Sequence, residues 1–197
     1  MSWVIGVDVG GTFTDAFFLD EEAGRIEVAK VPSTRGNQAE GFLDGIGRHA
    51  PDLATVAAIK ESSGDTRSFV DLQNLVGDRF TLFCGLDDVV LESVLLGAVG
   101  WVSGLSNVFP KESNELFRFA FEGKWEEARA LYRWFMPLLH LDARSDLVQC
   151  IKLCEQIAGR GSERTRPPRL ALEGAERAEV ERLMRDALAK RPAAKAA

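Results

Sequence analysis

Two groups of residues in this 197-residue chain have types and spacing suited to chemistry. The first is Asp8-Val9-Gly10-Gly11-Thr12-Phe13-Thr14-Asp15. Paired glycines let backbone amides approach an anion closely. Thr12 and Thr14 add hydroxyl donors, and Asp8 or Asp15 suits the holding of a metal-bound water. The set fits a phosphate-cradling hairpin, and it also fits a plain Gly-Gly turn. It lacks the lysine and following helix of a P-loop, so that option is excluded. The second group centres on Lys60, which closes the apolar run Val56–Ile59 and precedes Glu61-Ser62-Ser63-Gly64-Asp65. The C-terminal end of a parallel strand is where barrel enzymes place catalytic groups. A lysine buried there is disfavoured as the ammonium, and the neutral amine can attack a carbonyl. A surface lysine at a strand end is the plainer alternative.

Both groups need elements to hold them. Trp3–Val9, Thr12–Asp20 and Ile26–Val31 read as strands of an antiparallel meander, with a polar turn at residues 20–24. A helix is expected from Asn37 to about His49, with Phe42, Leu43 and Ile46 on its inner face. From Val56 the rhythm changes. Val56–Lys60, Phe80–Cys84 and Val99–Gly104 are short apolar segments. Helical patterns separate them at Thr66–Val76 and Asp87–Leu96. Such alternation predicts parallel βα units. After Pro110 everything reads as helix: Lys111–Glu122, Lys124–His140 (kinked or ended by Pro137), a stripe of Leu147, Ile151, Cys154 and Ala158 stopped by Gly159, and a stripe of Val180, Met184 and Ala187. Residues 160–169 read as a solvated connection and 192–197 as a disordered tail. The fold class expected is therefore α/β: an antiparallel β-meander plus helix, then a partial (β/α)8 barrel and a C-terminal helical region. The domain divisions expected are 1–56, 57–110 and 111–191.

Composition narrows the function classes. The formal charge of −6, without a long basic stripe, argues against nucleic acid as a partner. No apolar run approaches the ~20 residues needed to cross a bilayer, and no signal peptide opens the chain, so a cytoplasmic protein is expected. Cys84, Cys150 and Cys154 form no C-x-x-C pair. Cys150 and Cys154 are one helical turn apart and read as a buried helix face. No His or further Cys stands nearby to complete a metal site, so no metal is expected.

The residues around each group carry a resemblance. VIGVDVGGTFTDAFFLDEEAGRIEVAKVPST, continuing to NQAEGFLDGI, resembles the N-terminal segment of the hydantoinase A / 5-oxoprolinase / acetone carboxylase family over about residues 3–56. That resemblance implies an actin-like phosphate hairpin with Asp8, Gly10, Gly11, Thr12, Thr14 and Asp15 as phosphate-binding positions. ATP and Mg would be its cofactors. The family's second phosphate loop and adenosine-binding half are not found in this sequence. AIKESSGD, FCGLDD and GAVGWVSGLSNVFP resemble the last three strands of the dihydrodipicolinate synthase / N-acetylneuraminate lyase family, over about residues 57–197. Its members are (β/α)8 barrels that form a Schiff base between lysine and a 2-oxo acid. On that resemblance Lys60 is the Schiff-base lysine. Gly85 matches the glycine after the seventh strand, and Val102 the eighth-strand residue whose carbonyl faces the site. WFMPLLHLD and GWVSGLSN look closest to the branch that deaminates Δ1-pyrroline-4-hydroxy-2-carboxylate.

The resemblance also implies what is missing. The family's proton-relay tyrosine and substrate-carboxylate loop belong upstream of the matched region. Tyr132, the single tyrosine, falls in a helix beyond the last strand. The leading expectation is a truncated Schiff-base lyase or deaminase acting on a 2-oxo acid or cyclic imino acid, weak or inactive alone and needing no cofactor beyond its lysine. An ATP-dependent hydantoinase-type hydrolase fragment is the alternative, and a non-catalytic fusion remnant the third reading. The two resemblances meet near Val56–Lys60, as at a fusion of two genes. Three parallel strands leave open edges, through which copies of the chain could associate.

Overall fold

The computed structural model describes residues 3–9, 13–20, 23–32 and 58–192. The expected helix at Asn37–His49 and residues 193–197 lie outside them. The chain divides into two compact units, Met1–Val102 and Ser103–Ala197.

The first unit is built on one six-stranded sheet. β1 (Trp3–Val9), β2 (Phe13–Asp20) and β3 (Arg25–Pro32) form the expected antiparallel meander. β4 (Ala58–Glu61), β5 (Thr81–Cys84) and β6 (Gly100–Trp101) follow as parallel neighbours. The order across the sheet is β3-β2-β1-β4-β5-β6, because β1 pairs in parallel with β4. The pairing departs from the expectation of three open-edged parallel strands: β1 occupies the edge of β4. An unpaired row of backbone amides and carbonyls is costly wherever water is excluded. β1 reads Trp-Val-Ile-Gly-Val-Asp-Val, apolar at most of its positions.

α1 (Arg67–Val76) connects β4 to β5, and a short 3-10 turn at Asp87–Val89 leads into α2 (Val90–Leu95) before β6. Successive parallel strands advance across the sheet in one direction, so right-handed crossovers put both helices on one face. That face is the buried one. Ile59 and Glu61 of β4, and Leu82 and Cys84 of β5, are buried, as are Phe69 and Leu72 of α1 and Val90 and Leu91 of α2. β6 is shorter than the apolar segment Val99–Gly104, although its ladder reaches further. The Val99 amide donates to Leu82 O and the Val102 amide to Cys84 O, each at 2.9 Å.

Side chains alternate along strands, so register fixes what shares the opposite face. One row of paired positions runs Lys30, Asp15, Asp8, Lys60, Phe83, Gly100 across all six strands. Phe17, Ile26 and Val28 belong to the same face and are exposed.

The second unit is helical. A 3-10 turn at Leu105–Asn107 leads to α3 (Pro110–Phe121), α4 (Trp125–Leu139), α5 (Leu147–Ile157) and α6 (Gly174–Ala189). Pro110 starts α3 at the position where a missing amide costs nothing. Pro137 sits inside the last turn of α4, which ends two residues later. Gly159 ends α5 with φ +69°, a conformation that favours glycine. The core gathers Leu131, Phe135, Leu138, Ile151, Cys154, Val180 and Met184 from the apolar stripes expected from spacing, together with Leu116 of α3. Phe109 stands edge-on to Trp134 and Phe135, with ring centroids 5.4 and 5.7 Å away. The Trp134 indole N–H donates to Ala187 O at 3.0 Å and ties α6 to α4. Among the described residues no helix is long and apolar enough to cross a membrane.

All three cysteines are buried thiols. Burial pushes Cys84 up to about 11 and Cys150 and Cys154 up to about 12, from an ordinary value of 9.0. Above that ordinary value the unfolded chain releases these protons while the folded chain keeps them. Their contribution to stability is therefore complete below about pH 9 and declines as pH rises toward the folded values. The thermal midpoint should fall between pH 8.5 and 10.5, and the fall should flatten in a Cys84→Ala/Cys150→Ala/Cys154→Ala variant. Scanning calorimetry of both proteins across that range checks it.

Candidate active site around Lys60

Lys60 is the third residue of β4, between the buried pair Ile59 and Glu61. Alternation sends Ile59 and Glu61 to the helix-covered face and leaves Lys60, partly buried, on the other. Its register neighbours are Asp8 on β1 and Phe83 on β5.

The loop after β4 is wound by its own side chains. Glu61 Oε1 accepts the Ser63 amide at 2.9 Å, and Ser63 Oγ accepts the Asp65 amide at 3.1 Å. Asp65 Oδ1 then accepts the Arg67 amide at the start of α1, at 3.1 Å. The Arg67 guanidinium beside it holds the Asp65 carboxyl below its ordinary range. Lys60 is thus followed by a self-bonded turn rather than a slack loop.

Gly85 closes the site from the neighbouring strand. Its amide donates to Glu61 O at 2.7 Å, extending the β4–β5 ladder past the end of β5. A Cβ on Gly85 would lie 1.9 Å from Ser62 Oγ, 2.7 Å from Glu61 O and 2.9 Å from Lys60 Cε. The hydrogen at this position leaves room for the lysine chain and the serine hydroxyl together. Ser62 Oγ is buried and has no hydrogen-bond partner among the described residues.

Val102 follows β6, half exposed, its amide bonded to Cys84 O. Its strand is fixed by a contact that no sequence motif marked. The Trp101 indole N–H donates to Oδ1 of the fully buried Asp87 at 3.0 Å. This bond anchors β6 to the loop after β5. The signal available in the sequence was an acidic residue two positions after Gly85 and a tryptophan one position before Val102, informative only once the strands are neighbours.

Of the glycine-loop positions, Asp8 ends up on β1, and Thr14 and Asp15 on β2, with Val9 opposite Thr14 and Asp8 opposite Asp15. Gly10, Gly11 and Thr12 lie outside the described residues. Tyr132 is buried in α4 of the second unit. Among the described residues no group of three His, Cys, Asp or Glu side chains is gathered as for a metal ion.

Comparison with known proteins agrees with both resemblances. The family model described as "Dihydrodipicolinate synthetase family" matches residues 43–187. The model described as "Hydantoinase/oxoprolinase N-terminal region" matches residues 4–64. The matched spans overlap across the expected handover at Val56–Lys60. A 4-hydroxy-tetrahydrodipicolinate synthase of Acidobacterium capsulatum is 35% identical over 65% of this chain and 42% of its own. An uncharacterized DapA-like lyase of Pyrobaculum islandicum is 33% identical over 70% of this chain and 48% of its own. A solved 4-hydroxy-tetrahydrodipicolinate synthase from Methylacidiphilum fumariolicum matches with a TM-score of 0.66 at 25% identity, over 77% of this chain and 49% of that one. The dihydrodipicolinate synthase of Oceanobacillus iheyensis matches with a TM-score of 0.64 at 27% identity, over 75% and 51%. The chain spans about half the length of the relatives it matches, or somewhat less.

Gly85→Ala forces a methyl group against the Glu61 carbonyl as well as against movable side-chain atoms. We expect a loss of about 1–3 kcal/mol, the usual cost of overpacking. Adding Ser62→Ala removes the contact with the hydroxyl and should restore only part of that loss, since the backbone contact stays. Denaturant titration of the two variants and the parent chain checks the order.

Proposed function

The chain belongs to the dihydrodipicolinate synthetase family, and on that premise we propose that Lys60 forms a Schiff base with the carbonyl carbon of a 2-oxo acid. With a cyclic imino acid as substrate the same amine adds to C=N and the ring nitrogen is displaced. One observation carries the reading: Lys60 lies at the C-terminal end of a parallel strand, with a glycine beside it whose missing side chain makes room for the lysine.

The chemistry follows from the amine. Its nitrogen adds to the carbonyl carbon to give a carbinolamine, which loses water to an iminium. The iminium draws electrons from the adjacent carbon, so a bond there can break or a proton can leave. The Gly85 amide is committed to Glu61 O and the Asp87 carboxylate to the Trp101 indole. These groups hold the frame of the site while Lys60 reacts. In this reading no dissociable cofactor is required. The substrate class is a small carbonyl or imine acid. The hydantoinase-like segment contributes a strand, β1, rather than a nucleotide site.

Lys60 is read as competent for imine formation, and turnover as weak in this chain alone. The carboxylate clamp and tyrosine relay of the resemblance have no counterpart in the sequence around Lys60, and orientation of the substrate carries much of an enzyme's rate.

Incubation with pyruvate and borohydride should attach the mass of one reduced pyruvate, and peptide mapping should place it on Lys60. Lys60→Met should reduce labelling to background while leaving the far-ultraviolet circular dichroism unchanged. An unlabelled Lys60 in folded protein would contradict the assignment.

A further inference from the structure

In the second unit α4 and α6 lie side by side and run in opposite directions. Two contacts fix this. The Trp134 indole N–H donates to Ala187 O, while Arg144, past the end of α4, pairs with Glu179, nearer the start of α6. Between the two helices is a cleft of about 230 Å³. That is just below the usual range for organic ligands, about 300–1,000 Å³, and suits a body of one ring.

The floor of the cleft is apolar. Trp134 and Leu138, one turn apart on α4, meet Leu183 and Ala187, one turn apart on α6. The aromatic wall is held from behind. Trp134 stacks on Phe135 at 5.1 Å and stands edge-on to Phe109 at 5.4 Å. Its N–H is committed to Ala187 O, a carbonyl in the last turn of α6 that lacks an intrahelical partner. A wall fixed in this way needs no ordering when a ligand arrives.

The rim is charged, and unevenly. Because the helices are antiparallel, the Arg133 end of the α4 wall is level with the Lys190 end of α6. These two cations stand at one mouth of the cleft, one from each wall. Both are exposed, and neither has a carboxylate partner among the described residues. Further along α6, Arg182 is already paired with Asp186 at 3.1 Å. The one acid of the cleft is thereby compensated and two positive charges are left, in a chain whose formal charge is −6. A lone surface cation is commonplace. Two that flank the open end of an apolar cleft define a ligand charged at one end only.

We propose that this cleft binds a small organic monocarboxylate, with its carboxylate between Arg133 and Lys190 and its apolar body against Trp134, Leu138 and Leu183. The α4 wall from Arg133 to Leu138 is about 7.5 Å long at 1.5 Å per residue, the reach of a phenyl ring on a short chain. A cationic ligand is repelled by both rim charges. A neutral one of the same shape gains the floor and not the rim. The site belongs to the second unit alone and needs nothing from Lys60.

The test titrates 3-phenylpropionate into the full chain and follows it by ¹H–¹⁵N NMR. The Trp134 indole and the backbone amides of residues 183–190 should shift together and saturate, with a dissociation constant of about 1 mM, the scale for a ligand of this size. 3-Phenylpropan-1-ol keeps the body without the charge and should bind about tenfold more weakly. Propionate, which keeps the charge without the ring, should not saturate. Arg133→Gln/Lys190→Gln should weaken 3-phenylpropionate about tenfold, the scale of two exposed charge contacts. Arg164→Gln/Arg166→Gln removes the same charge from the loop before α6 and should match the parent. All four substituted side chains are exposed, so the fold is kept in every variant. Shifts that do not saturate, or that fall outside these residues, overturn the site. Equal affinity for the acid and the alcohol, or for the acid in the parent and in Arg133→Gln/Lys190→Gln, overturns the clamp between the two cations. Equal weakening by the two double variants also overturns it, since charge anywhere on the chain would then serve as well.

Discussion

The first unit depends on the two edges of β4. A four-residue strand has few ladder bonds, and each must be made on both sides if the strand is to stay buried and straight. β5 supplies one side through four register pairs, Ala58 with Thr81 to Glu61 with Cys84. β1 supplies the other through Asp8 with Lys60 and Val9 with Glu61. Those two pairs join an antiparallel meander and a run of βα units into one sheet. With the β5 pairs, they fix which face Lys60 occupies and which residues stand beside it.

The site is built outward from that pairing. With β4 held, the alternation of Ile59, Lys60 and Glu61 puts two buried residues on the helix-covered face and the partly buried Lys60 on the other. The Glu61 carboxylate winds the following loop, and the Glu61 carbonyl receives Gly85. Gly85 in turn leaves the volume that Lys60 Cε and Ser62 Oγ share. Asp87 and Trp101 secure the next strand, so that Val102 follows a fixed segment. A buried, uncompensated carboxylate would be costly, and the indole N–H offsets that cost at Asp87. The second unit holds together by a different logic, helical stripes closed on an aromatic cluster of Phe109, Trp134 and Phe135.

Much of this could be read from the residues. The apolar runs at residues 3–9 and 80–84 announced strands, and the stripes of α4, α5 and α6 announced helices, because period and burial are two expressions of one geometry. Lys60 was conspicuous as a charge closing an apolar run. Gly85 became meaningful through family resemblance and then through the space around it, which no spacing rule conveys. The pairing of β1 with β4 was not read. Strand pairing across some fifty residues of sequence is decided by which edges need covering, and local patterns do not encode that. One trace of it was present: β1 is apolar at Trp3, Val4, Ile5, Val7 and Val9, which suits an interior strand better than the edge of a meander. The Asp87–Trp101 bond was equally hidden, being a contact between residues fourteen apart whose strands had first to be neighbours.

The central claim is that β1 and β4 lie side by side with Asp8 level with Lys60. Paired cysteines measure this directly, since a disulfide needs Cα atoms about 4.4–6.8 Å apart and side chains on one face. Under mild oxidation an Asp8→Cys/Lys60→Cys chain should form a disulfide between those positions, identified by peptide mass spectrometry. A Val9→Cys/Lys60→Cys chain, with the pair on opposite faces, should not. No crosslink in the first, or equal yields in both, would contradict the pairing on which this account of the site is built.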